Sequence, residues 1–159
     1  MQAFYEDVAQ LERRKITCQP ISSRWAAFEG RDMVWQKFPF AAGEAESLPR
    51  ECGFFCLFVG PPPASLPPVG YPLYFGRTED SLRRRFAELI QEQQRIVSRP
   101  QERDFLEVFE GELFFMCTPF DGSPDEVANA ARELRAALMP AFGGSEYEAS
   151  LEPPKGAWV

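Results

Sequence analysis

The sequence predicts an α+β domain: a small sheet flanked by helices, in the order strand, strand, helix, strand, helix. Three observations carry this. Two apolar, β-rich runs, "CGFFCLFV" (52–59) and "ELFFMCTPF" (112–120), read as strands. The stretches after Leu82 and after Ser123 repeat apolar residues at helical spacing. Between the first run and a second short strand, "LYFG", lies the segment "GPPPASLPPVGYP" (60–72), whose prolines lack a ladder donor and favour polyproline geometry.

Taken in chain order, "MQAFYEDVAQLERRK" sets Phe4, Val8 and Leu11 at helical spacing and predicts a short amphipathic helix. Residues 16–50 are aromatic but aperiodic, with Trp25, Phe28, Val34, Trp35 and Phe38 as expected anchors. Residues 1–46 are therefore read as an arm packed on a domain that spans 47–144, and the polar, proline-bearing segment 145–159 as a tail that Trp158 would dock back. The proline segment is a stiff loop joining two strands; a proline-rich binding ligand is the sharper reading of the same residues.

From Leu82 the residues Phe86, Leu89, Ile90, Ile96 and Val97 share one helical stripe, and Pro100 marks the exit. At about 100° per residue, Arg84 points away from that stripe while Arg83 and Arg85 border it on opposite sides. The last helix opens on "SPDE": Ser123 as N-cap, Pro124 at the first helical position and Glu126 closing a capping box. Its expected buried stripe is Val127, Ala130, Ala131, Leu134 and Leu138, ended by Pro140, Gly143 and Gly144.

Composition narrows the chemistry. The 159 residues include 15 Phe and carry a formal charge of −7, which opposes general affinity for a polyanion. Nucleic-acid contact would have to be local, as in residues 76–100, where six arginines face four acids. The chain has no histidine, so imidazole bases and Ser-His or Cys-His nucleophiles are excluded. Its 4 cysteines form no C-x-x-C pair, and Cys52, Cys56 and Cys117 fall in apolar, strand-like runs that predict buried thiols. No apolar run approaches the ~20 residues needed to span a bilayer. The expectation is a reduced, cytoplasmic protein with no membrane contact.

The motif "SLPRECGFF" (47–55) followed by "YFGRTEDSLRRRF" (74–86) resembles the GIY-YIG nuclease superfamily. The resemblance covers about residues 47–143 and implies the same β-β-α-β-α order. It sets Gly53 and Phe55 in the GIY glycine and tyrosine places, Tyr74 and Gly76 in those of YIG, Thr78 as the small polar residue after the glycine, and Arg85 as the catalytic arginine. In the last helix, with Leu134 and Pro140 as anchors, Ala131 falls at the metal-binding glutamate and Gly143 at the asparagine.

In such a set a carboxylate-held metal stabilises the leaving oxygen, a tyrosine-positioned nucleophile attacks phosphorus, and arginine stabilises charge on the phosphate. Phenylalanine transfers no proton, alanine ligates no Mg²⁺ and glycine offers no side-chain amide. Three of the five functional places are thus vacant. Glu133 is the weak alternative metal ligand, but two positions along a helix turn it ~200° away from Ala131.

The resemblance therefore implies a domain that keeps Tyr74 and Arg85, with Gly76, Arg77, Thr78 and Arg83 around them, yet has lost nuclease chemistry. It would act as a binding or scaffolding subunit for a protein partner or a nucleic-acid phosphate, with no cofactor. The alternative is an active, divergent endonuclease that uses Mg²⁺ or Mn²⁺ to cleave DNA. A further alternative is a structural protein-interaction module with no nucleic-acid role. The vacant-site reading expects Phe55 and Ala131 to face one cleft, with no carboxylate near Arg85.

Overall fold

The computed structural model describes residues 33–60, 70–94, 106 and 109–141. Four strands form one antiparallel sheet: β1 (Gln36–Pro39), β2 (Gly53–Val59), β3 (Tyr71–Thr78) and β4 (Leu113–Pro119). Their spatial order is β1-β4-β2-β3. Among the described residues two α-helices accompany them, α1 (Leu82–Gln94) after β3 and α2 (Pro124–Leu138) after β4. The strand-strand-helix-strand-helix order expected from the sequence is present, but the sheet has four strands rather than three.

The fourth strand comes from the segment read as an aperiodic arm. β1 pairs Gln36 with Cys117 and Pro39 with Phe114. It is short, lies at the sheet edge and ends on a proline, the position where a strand tolerates a missing donor. Phe38 packs toward α1 and Trp35 toward α2, as anchors should, whereas Val34 is 75% exposed and anchors nothing. A six-residue 3-10 helix, Ala42–Ser47, then leads to Leu48, which is buried. The expected helix at 1–15, the anchors Trp25 and Phe28, the proline loop at 61–69, Ile96 and Val97, Gly143 and the tail 145–159 lie outside the described residues.

β2 is the spine of the sheet. It pairs along its length with β3 on one side and β4 on the other, and Gly53 to Phe58 are all buried. A strand covered on both faces reads as a continuous apolar run, and "GFFCLFV" is such a run. Gly53 is required by proximity: a Cβ there would collide with the backbone carbonyl of Thr118 on β4.

The two helices cover opposite faces. On the α1 side Phe55, Leu57, Leu73, Phe115 and Cys117 pack with Leu82, Phe86, Leu89 and Ile90, joined by Leu106 and Phe109 from the stretch before β4. The ring of Phe86 stands edge-on to Phe115 at 5.1 Å and to Phe40 at 5.4 Å. On the α2 side Phe54, Cys56 and Phe75 pack with Ala130 and Leu134, flanked by Val127, Ala131 and Leu138. The start of α2 is as expected: the Ser123 hydroxyl accepts from the Glu126 backbone N–H, and the Glu126 carboxylate accepts from the Ser123 N–H at 2.8 Å. Its end is closed by Met139 in the left-handed region, at φ 46°.

Candidate functional site

The residues singled out by the resemblance divide between the two faces. On the α1 face, register alone brings Phe55 opposite Gly76 and Leu57 opposite Tyr74. Phe55 is buried, with its ring 6.0 Å from that of Tyr74 and stacked on Phe115 at 5.3 Å. Gly76 makes room for it, because a Cβ there would lie 2.5 Å from the Phe55 Cζ atom. The two motif glycines thus have packing reasons of their own: one admits a neighbouring backbone, the other a neighbouring ring.

Arg85 reaches from the first turns of α1 over the same ring, its Cζ 5.9 Å from the Phe55 centroid. Its side chain is 22% exposed and does not stand alone. Nη1 donates to Glu92 Oε1 at 3.2 Å and to Glu88 Oε2 at 3.4 Å. Burial works against the charged guanidinium, but Glu92 foremost, with help from Tyr74 and Glu88, outweighs it and holds the Arg85 pKa above its ordinary value.

The expectation of no carboxylate near Arg85, the condition on which the vacant-site reading stands, is therefore corrected. The acids come from α1 itself, since positions i, i+3 and i+7 share one side of a helix. Sequence reasoning searched the last helix for an acid and missed this spacing, which was visible in "RFAELIQE". Glu88, Glu92 and Arg85 together carry one net negative charge. A phosphate diester meeting this group would find the arginine already neutralised.

Arg83 and Arg84 follow the directions predicted from the helix, but the expectation that Arg77 and Arg83 stand around Tyr74 and Arg85 is corrected, because both are engaged elsewhere. Arg83 borders the stripe on the opposite side and clamps the 3-10 helix: Nε donates to the Leu48 carbonyl at 3.2 Å, Nη2 to the same carbonyl at 3.0 Å, and Nη1 to the Glu46 carboxylate at 2.8 Å. It is a brace for the chain entering β2. Arg84 is 68% exposed and pairs along the helix surface with Asp80 and Glu88. Arg77 pairs opposite Phe54, on the face away from Arg85, and its side chain, 45% exposed, meets Glu79 at 3.6 Å. The Thr78 hydroxyl accepts from the Asp80 N–H at 3.3 Å and shapes the turn into α1.

No protein-family model, curated protein or solved structure matches the chain.

What the arrangement can do rests on the side chains alone. Ala131 packs against the α2-face cluster, so the expectation that it shares a cleft with Phe55 is corrected: the sheet lies between them. Glu133 is also on α2, half-buried, on the opposite side of the sheet from Arg85. Among the described residues no group of three or more Cys, Asp or Glu could hold a metal ion, and no helix is long and apolar enough to cross a membrane.

The cysteines are mostly as expected. Cys56 is buried on the α2 face, where desolvation pushes its thiol up to about 12. Cys117 is buried on the α1 face and rises to about 11 for the same reason. Cys52 departs from the expectation: it is only half-buried, and its thiol donates to the Phe120 carbonyl at 3.4 Å.

Proposed function

We propose that this chain is a binding or scaffolding domain with a GIY-YIG-like frame and without hydrolytic chemistry, and that its partner is a protein. The observation that carries the reading is the state of Arg85, which is ion-paired to Glu88 and Glu92 over the ring of Phe55. An arginine kept for phosphate would need free donors in a positive surround. Here the surround is negative, as is the chain at −7. Arg77, Arg83 and Arg84 each have an acidic neighbour as well, so each of the four arginines described between Gly76 and Gln94 is ion-paired. A cytoplasmic setting accords with thiols held reduced in the core.

A second reading keeps the metal-dependent endonuclease. It is favoured by the same two carboxylates, because Glu92 and Glu88 bring acids to the side of Arg85 and Tyr74. In that case Mg²⁺ or Mn²⁺ would have to take oxygens now donated to by arginine, which sets guanidinium and metal in competition.

One experiment separates the two. Purified protein is incubated with single-stranded, duplex and branched DNA in Mg²⁺ and in Mn²⁺, alongside Arg85→Ala and Glu92→Gln. Intact DNA in every lane is the expected result. Metal-dependent cleavage that disappears in both variants would replace the binding reading with the nuclease. A salt titration of labelled oligonucleotide addresses the nucleic-acid arm: the proposal expects no measurable binding near physiological salt, and a steep loss of tight binding with added salt would make phosphate the ligand.

A further inference from the structure

We draw no further inference here: the strongest candidate, the outer edge of β3 from Leu73 to Thr78, is already held at its start by the Ala141 N–H on the Pro72 carbonyl and has a buried backbone at Gly76, and nothing among the described residues shows what covers it.

Discussion

The two faces of the sheet are built from the same strands yet differ in kind. The α2 face packs small and aliphatic side chains, Ala130 and Leu134, on Phe54 and Phe75, with the Arg135 guanidinium carbon 5.9 Å from the Phe75 ring centroid. The α1 face has a deeper aromatic core, and at its border stands a charged group of Arg85, Glu88 and Glu92 beside Tyr74. The difference teaches that each face sets an arginine over an aromatic ring, Arg85 over Phe55 and Arg135 over Phe75, and that on the α1 face two carboxylates hold that arginine. Ala131, the position that the resemblance sets at a metal ligand, is on the other side of the sheet, so a carboxylate introduced there would not reach Arg85.

The contrast can be broken most severely at its core. Phe115→Ala removes the ring on which both Phe55 and Phe86 pack, and should cost about 3–5 kcal/mol in urea unfolding. A loss below ~1 kcal/mol would mean that the α1 face is not packed as described. Next in size is Gly76→Ala, expected to cost about 1–3 kcal/mol by forcing the Phe55 ring aside. Trimming that ring should relieve it, so the double variant Gly76→Ala with Phe55→Leu should lose less than the two single losses added together. Strict additivity would show that the ring and the glycine do not meet.

The arginines sharpen the comparison at smaller scale. Arg83→Ala leaves the Leu48 carbonyl without its donors and should cost about 1–3 kcal/mol, whereas Arg84→Ala should stay within about 0.5 kcal/mol. Equal effects in the same unfolding assay would erase the distinction between brace and surface.

The smallest effect at neutral pH belongs to the thiols. Both buried cysteines keep their protons more tightly folded than unfolded, so their contribution is intact below pH ~9 and is lost as pH rises through about 11 for Cys117 and about 12 for Cys56. Alkylation at pH 8, mapped by mass spectrometry, should mark Cys52 well before either of them. Early labelling of Cys56 would show that the α2 face opens readily.

How much of this was legible beforehand follows from the kind of signal each part leaves. Helix α2 announces itself through Ser123, Pro124 and Glu126, because capping is written in consecutive residues. The directions of Arg83, Arg84 and Arg85 followed from helical geometry alone. β1 was missed because a four-residue edge strand closed by Pro39 has neither length nor alternation, and its partner is remote in sequence. The side taken by each helix was also hidden. Phe54, Phe55, Cys56, Leu57 and Phe58 are apolar on both faces of β2, so nothing in the strand states which helix covers which. The expectation that Ala131 and Phe55 share one cleft came from the resemblance, and nothing in the strand spoke against it.

The placement of β4 between β1 and β2 has a consequence for how the chain acquires its structure. Of the three ladders, only the β2–β3 hairpin joins strands that follow one another directly; the other two wait for Leu113–Pro119. During synthesis β1 leaves the ribosome long before its mate β4 exists, and loop closure over that span is slow. A nascent chain halted ahead of Leu113 would hold the β2–β3 hairpin and α1 but an unpaired β1, a species for chaperones rather than a complete sheet.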